Sequence, residues 1–218
     1  MKLYIYDHCP YCVKAVMIFG LKNIPLEPTV LLNDDIDTPT AMVGKKMVPI
    51  LEKDDGGYMP ESLDIVRYID RLDGQPLITN EGNKSNKTVT DWLNNAVPMI
   101  NLLAIPRTPQ LPLAEFATEG ARLFYTRGKT EWLGDFQLLL DKSSEFLENI
   151  NQVLIALESL IKKPGAVNGV LSEDDLHLFA SLRVLSAVKG VSYPPAVEAY
   201  RQRLSEMSGV GLLDEIAI

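Results

Sequence analysis

The spacing of apolar and polar residues divides the chain into two parts. Over residues 1–72, short β-prone segments alternate with amphipathic ones in the order β-α-β-α-β-β-α. In chain order, the pattern predicts strand 2–6, helix 9–23, strand 26–32, helix 37–44, strands 48–53 and 56–60 around an Asp-Gly turn, and helix 61–72. The apolar face of the last helix is predicted to consist of Leu63, Val66, Ile69 and Leu72.

After a polar stretch rich in Gly and Asn at 73–85, helical spacing dominates. Helices are predicted at 91–105, 113–125, 130–161, 172–188 and 194–207. The segment 172–188 is apolar on nearly all sides, which is typical of a central buried helix, and Ser172 with Asp175 matches a structural capping box. The pattern therefore predicts an α/β domain at 1–72, a linker at 73–85 and an all-helical domain at 86–218.

Charge and composition restrict the function classes. The net charge is −8 and both parts of the chain are acidic, which argues against nucleic acid as a partner. No apolar run approaches the ~20 residues of a membrane span, and the N-terminus lacks the apolar core of a signal peptide. We therefore expect a cytoplasmic protein that is not attached to a membrane, and nothing in the sequence demands more than a monomer.

The chain has two cysteines, Cys9 and Cys12, and both lie in the segment DHCPYCV at the start of the first predicted helix. Residues i and i+3 share a helix face about 5–6 Å apart at Cβ, close to the separation that a disulfide needs. The helix N-terminus stabilises a thiolate at Cys9, which we expect to be exposed, whereas Cys12 lies one turn inside. These features favour a redox pair.

Two other readings of the cysteines remain. Both could be ordinary buried residues, or they could form part of a zinc site. Zinc usually takes four ligands, and the only histidines are His8 and His177. His8 could also be a polar neighbour of the redox pair, and His177 a core or surface residue of the helical part.

Four motifs together resemble the glutaredoxins: YDHCPYC, VPIL, MPES and VNGxLSEDD. With the helical second half, the whole chain is similar to the large bacterial glutaredoxins. The resemblance implies an N-terminal thioredoxin-like domain followed by an all-helical domain like that of glutathione S-transferases. It also implies a glutathione-dependent thiol–disulfide oxidoreductase that acts on disulfide-bonded and glutathionylated proteins. No bound cofactor and no metal are implied, because glutathione is the reductant.

The same resemblance assigns roles to individual residues. Cys9 matches the attacking cysteine and Cys12 the resolving one. Val48 precedes a proline, Pro49, that is expected to be cis, and its backbone is expected to pair with the cysteinyl part of glutathione. The remaining expected glutathione contacts are Pro10, Tyr11 and the pair Glu61 and Ser62, which matches the grip on the γ-glutamyl end.

The sequence departs from small glutaredoxins at Tyr6, where they commonly carry a lysine, so the glycine end of glutathione lacks an obvious cation. Lys22 or an arginine of the helical part could serve instead. Two other functions stay open. A conjugating transferase usually presents a Tyr or Ser hydroxyl where this chain has a cysteine, and a non-enzymatic binder would lack fast disulfide turnover.

Overall fold

The computed structural model describes residues 1–78 and 86–218. The first of these ranges contains one sheet and three helices: β1 Lys2–Ile5, α1 Pro10–Leu21, β2 Thr29–Val30, α2 Asp37–Val43, β3 Ile50–Glu52, β4 Tyr58–Pro60 and α3 Ser62–Asp70. The strand order is β2-β1-β3-β4, with β1 parallel to β2 and antiparallel to β3, and β3 antiparallel to β4. The predicted order of elements and the thioredoxin-like domain are confirmed.

The second described range is helical, as predicted. Its elements are α4 Lys87–Ala104, α5 Glu119–Leu133, α6 Phe136–Asp141, α7 Ser143–Glu158, α8 Glu173–Leu185 and α9 Pro195–Ser208, with short 3-10 helices at Thr108–Gln110, Ala114–Phe116 and Asp214–Ile216. Helix α8 is buried on most of its surface, and its capping box is present, so both predictions for it are confirmed. Among the described residues, no helix is both long and apolar enough to cross a membrane.

The single long helix predicted at 130–161 is wrong, because the segment is divided among α5, α6 and α7. Gly134 ends α5 with φ of +99°, a backbone conformation that favours glycine. Asp135 then caps α6, its carboxylate accepting a hydrogen bond from the Leu138 N–H at 3.0 Å. Apolar periodicity continues across this break, and local capping chemistry overrides it.

Three further expectations are corrected in detail. The helix predicted at 113–125 is a 3-10 turn followed by α5, because the Thr118 hydroxyl caps the new helix at Ala121 N–H. The second strand is only two residues long. In α3, the buried face contains Ile65 as well as Val66 and Ile69, whereas Leu63 is half-buried and Leu72, beyond the helix end, is 46% exposed.

Helix α1 lies at the centre of the molecule. It packs against α3 on one side and against α8 and α9 on the other, so residues on nearly all its faces are buried. Gly20 permits the close approach of α9, since a Cβ there would stand 1.8 Å from the Ser208 carbonyl oxygen. The thioredoxin-like part is thereby joined to the helical part through the helix that carries both cysteines. We keep the boundaries 1–72, 73–85 and 86–218 as a proposal; residues 79–85 of the linker lie outside the described residues.

Candidate active site

The two cysteines lie where β1 passes into α1. Cys9 is the N-cap of α1, Pro10 is its first residue, and Cys12 lies in its first turn. Both thiols are free. Cys12 is 1% exposed, and Cys9 is 9% exposed rather than open to solvent as expected from the sequence. The reason is that the loop before α1 packs against the helical part, to which His8 and Asp7 are bonded, and Cys9 lines a cleft there.

The environment separates the two thiols electrostatically. A hydrogen bond from Cys12, the charge of His8 and the backbone N–H groups of Cys12 and Tyr11 together outweigh burial and lower the pKa of Cys9 to about 6. Burial and the neighbouring Cys9 raise the pKa of Cys12. Near pH 7 the pair therefore holds one thiolate, at Cys9, and one thiol, at Cys12.

Cys9 opens into a cleft of about 580 Å³ between the two parts of the chain. The thioredoxin-like side contributes Tyr6, His8, Cys9, Pro10, Tyr11 and Val48. Helix α5 contributes much of the opposite wall, with Phe124, Tyr125, Lys129 and Trp132. The cleft therefore presents a thiolate, a row of aromatic rings and positive charge to one ligand.

The Val48–Pro49 peptide bond is cis, as predicted. It immediately precedes β3, and Ile50 pairs across the sheet with Pro60, the residue before Glu61. The cis-proline loop and the start of α3 are therefore neighbours at one edge of the sheet. Val48 lines the cleft, whereas Pro49 is buried behind it.

Glu61 and Ser62 begin α3 at this edge. Glu61 is the N-cap with φ of +70°, a conformation that costs a non-glycine residue about 1–3 kcal/mol and that concentrates at functional sites. Its carboxylate is 61% exposed and lies 3.7 Å from Lys45 Nζ. Ser62 is buried. Neither residue lines the cleft itself; they are placed beside it at a helix N-terminus, where carboxylates bind well.

Comparison with known proteins decides the family. Residues 88–217 match the family described as Glutaredoxin 2, C terminal domain, and residues 3–77 match Glutathione S-transferase, N-terminal domain. Glutaredoxin 2 of Escherichia coli strain K12 is 51% identical over the full length of both chains. The chain belongs to the glutaredoxin 2 family. It is therefore a glutathione-dependent oxidoreductase, and the resemblance seen in the motifs is confirmed.

Solved structures agree with this assignment. Glutaredoxin 2 from Salmonella typhimurium, crystallised in complex with glutathione, superposes with a TM-score of 0.96 at 49% identity, over 100% of this chain and 98% of that one. A glutathione S-transferase from Ceriporiopsis subvermispora superposes with a TM-score of 0.72 at 15% identity over 97% of each chain, which shows the shared fold alone.

Sequence reasoning missed the lysines of this glutaredoxin cleft. Lys46 donates a hydrogen bond to the Tyr6 hydroxyl at 2.9 Å and lies 5.0 Å from the centre of the Phe124 ring. Lys129 lies 5.3 Å from the Trp132 ring. The two adjacent lysines that stand shortly before Val48 in the sequence could have indicated Lys46, whereas no neighbouring motif marks Lys129. Lys22, suggested from the sequence, instead donates to Asp73 and the Gln75 carbonyl, both at 2.7 Å, away from the cleft.

Of the two histidines, His8 differs from expectation. His8 is more than a polar neighbour, since its ring and backbone N–H both bond to the buried Glu115 from the helical part. His177 is half-buried with Nδ1 3.4 Å from Lys14 Nζ. Among the described residues, no cluster of three or more His, Cys, Asp or Glu side chains is arranged to hold a metal ion.

Proposed function

We propose that the enzyme reduces protein disulfides and glutathione mixed disulfides through Cys9 and Cys12, with glutathione as the reductant. The observation that carries this proposal is the asymmetry of the two thiols. A pKa of about 6 makes Cys9 a thiolate at neutral pH, and its neighbour Cys12 keeps its proton. An attacking thiolate beside a protonated reserve thiol is what disulfide exchange in two stages requires.

On a glutathione mixed disulfide, the Cys9 thiolate attacks the glutathione sulfur. A Cys9–glutathione disulfide forms and the substrate thiolate leaves, taking a proton from water. A second glutathione, as its thiolate, attacks the glutathione sulfur of that disulfide, releases oxidised glutathione and restores the Cys9 thiolate. The net change is one substrate thiol gained and two glutathiones joined, one of which came from the substrate.

On a protein disulfide, attack by Cys9 leaves the enzyme linked to the substrate. Cys12 loses its proton to the first departing thiolate and attacks the Cys9 sulfur, so a Cys9–Cys12 disulfide forms; the second substrate thiolate leaves and takes a proton from water, and the substrate is released as a dithiol. Two glutathiones then reduce the enzyme disulfide and leave as oxidised glutathione. Cys12 is suited to this step because it lies within the first turn of α1, on the same side as Cys9.

We propose that glutathione lies along the sheet edge and into the cleft. The backbone of Val48, beside cis-Pro49, pairs with its cysteinyl unit. Glu61 and Ser62 bind the γ-glutamyl end. Pro10 and Tyr11 form the rim near the sulfur; Tyr11 is 59% exposed, as a rim residue should be.

For the glycine carboxylate of glutathione we propose Lys46, with Lys129 as a second cation. Both lysines line the same cleft as Cys9, and aromatic rings hold them there. This replaces the suggestion of Lys22, whose ammonium group is already bonded elsewhere.

Partners and setting are proposed on the same basis. The complex of the Salmonella relative supports glutathione as a ligand. Disulfide-bonded or glutathionylated proteins are the proposed macromolecular substrates, with no nucleic acid and no membrane as partner. The proposed compartment is the cytoplasm, because free thiols persist where thiols are kept reduced, and the proposed oligomeric state is a monomer.

A glutathione-coupled assay with a small mixed disulfide, run beside a standard conjugation substrate, tests the function. We expect fast disulfide turnover and slow conjugation, because a cysteine at the start of α1 forms a disulfide with glutathione instead of activating glutathione's own thiol. Fast conjugation with negligible disulfide turnover would contradict the proposal and favour the transferase reading. No turnover of either substrate would favour the binder.

A further inference from the structure

Glu115 is a buried carboxylate of the helical part that reaches the loop carrying the nucleophile. It lies in the 3-10 helix Ala114–Phe116 and is 0% exposed. Its Oε1 accepts two hydrogen bonds from His8, one from the backbone N–H and one from ring Nδ1, both at 2.8 Å. Among the described residues, Oε2 has no hydrogen-bond partner. A buried charge with so few partners is costly, so its contact with His8 needs an explanation.

The two bonds fix the position of His8. Because Glu115 accepts at Nδ1, that nitrogen carries a proton, and the ring edge with Nε2 is the one left for the cleft. Tyr6 stacks on the ring with centroids 5.8 Å apart, and Tyr125 meets it edge-on at 5.2 Å. His8 thus cannot turn away from the wall that it shares with Cys9, the next residue in the chain.

We propose that Glu115 is a positioning residue for the nucleophile: by holding His8 it keeps the imidazole ring at the cleft wall next to Cys9, where the ring favours the thiolate of Cys9. This inference rests on the proposed role of Cys9 as the attacking thiol. Glu115 does not line the cleft and acts on Cys9 through His8, although its charge also contributes to the raised pKa of Cys12.

The electrostatics of the site support the geometry. Burial alone would raise the pKa of Glu115, but the hydrogen bonds and charge of His8 reverse this, so the net pKa is lowered and the carboxylate stays ionised. For Cys9, the charge of His8 is a lowering influence second to the hydrogen bond from Cys12.

Other titratable groups surround this pair. The loop before α1 contributes Tyr6 and Asp7, and α1 contributes Cys12 and Lys14. Lys46 lies before β3, Tyr125 and Lys129 lie in α5, and Arg183 lies in α8. Burial raises the pKa values of both tyrosines and of Cys12, which are therefore neutral near pH 7. Asp7 is paired with Arg183 at 2.7 Å. His8 is the group in the loop whose position Glu115 directly controls.

The proposal predicts the sign of a measurable change. A carboxylate that merely lay nearby would oppose the Cys9 thiolate, and removing its charge would lower the pKa of Cys9. A carboxylate that acts through His8 has the opposite effect, because its removal frees the imidazole ring that favours the thiolate. Glu115→Gln should therefore raise the pKa of Cys9.

The experiment follows the pH dependence of Cys9 alkylation by iodoacetamide in the reduced full-length protein, with mass spectrometry to identify the labelled cysteine. In Glu115→Gln we expect the midpoint to rise by about one pH unit. His8→Asn keeps an N–H donor towards Glu115 but cannot carry charge, so it should produce a similar rise. Adding Glu115→Gln to His8→Asn should give no further rise. Glu119→Gln removes an exposed carboxylate nearby and should leave the midpoint unchanged.

An unchanged or lower midpoint in Glu115→Gln overturns the inference. If Glu115→Gln fails to fold, His8→Asn decides alone. An unchanged alkylation midpoint in His8→Asn would show that His8 does not favour the Cys9 thiolate, and would overturn the inference. The alkylation readout does not depend on glutathione. If the wild-type protein turns over mixed disulfides but the variants show no midpoint shift, the proposed function stands and this inference fails. If the midpoint shifts but the wild-type protein does not turn over mixed disulfides, the effect of Glu115 on Cys9 stands and the proposed function fails.

Discussion

Helices α1 and α8 begin in chemically different ways, although both starts are buried in the same core. At α8, Asp175 accepts hydrogen bonds from the Ser172 N–H and hydroxyl, the Val167 N–H and the Tyr200 hydroxyl, between 2.6 and 3.0 Å. At α1, the N-cap Cys9 makes no side-chain capping bond to the first turn. A helix start presents the same unpaired N–H groups and the same positive dipole end in each case.

The comparison separates support from chemistry. At α8 the polar groups satisfy one another, so the start of the helix stabilises the fold and offers nothing to a ligand. At α1 no side chain caps the first turn, and the N–H groups of Tyr11 and Cys12 lower the pKa of Cys9 and so favour its thiolate. A helix start whose N–H groups are not bonded to capping side chains can stabilise a reactive group. The variants below test whether the start of α1 serves the reaction and the start of α8 serves stability.

The largest effect is expected from Cys9→Ser, which should abolish turnover of both glutathione mixed disulfides and protein disulfides, because the hydroxyl is not a nucleophile towards disulfides. Serine is a favoured N-cap, so the free energy of unfolding should change by less than about 1 kcal/mol. Turnover in the glutathione-coupled assay and urea unfolding measure the two. Retained activity in Cys9→Ser together with an inactive Cys12→Ser would reverse the assigned roles.

The opposite result is expected at α8. Asp175→Ala leaves four donors without their acceptor in a buried site and should lower the free energy of unfolding by about 3 kcal/mol or more. Urea unfolding measures the loss. In the fraction that stays folded, the midpoint of Cys9 alkylation should stay near its wild-type value, because Asp175 acts on the fold alone. A midpoint that moved with Asp175 would contradict the division between the two helix starts.

The sequence predicted the parts of this contrast that depend on neighbours in the chain. The capping box of Ser172 and Asp175, and the placement of Cys9 before Pro10, follow from spacings of one to three residues. The cleft could not be predicted in this way, because Lys46 and Lys129 reach it from distant segments, just as Glu115 reaches His8 from the helical part. The exposure of Cys9 was misjudged for the same reason, since the surface that covers it belongs to the helical part. The break at Gly134 was missed because apolar periodicity continues through it.

Cys12 sharpens the comparison within α1. Cys12→Ser should keep most turnover of small glutathione mixed disulfides and lose most reduction of protein disulfides, because only the second route needs a resolving thiol.

The wild-type alkylation rate should rise with pH through a midpoint of about 6 and level off above it, since the thiolate forms there. Cys12→Ala removes the hydrogen bond to Cys9 and should raise that midpoint by about one unit, whereas Cys12→Ser keeps an O–H donor and should raise it less. Equal midpoints in the two variants would show that the hydrogen bond contributes little.

The smallest effect is expected at the third helix start, that of α3, where Glu61 and Ser62 are proposed to bind the γ-glutamyl end of glutathione. If this start resembles α1, its polar groups are kept for a ligand; if it resembles α8, they only cap the helix. Ser62→Ala should then weaken glutathione use by about 1 kcal/mol, or about fivefold in the KM for glutathione, with kcat nearly unchanged. Ser159→Ala, at an exposed serine on the far end of α7, is the matched control and should change neither constant. A lower free energy of unfolding in Ser62→Ala with an unchanged KM would assign Ser62 to the fold, because a residue that only caps α3 affects stability and leaves the affinity for glutathione intact.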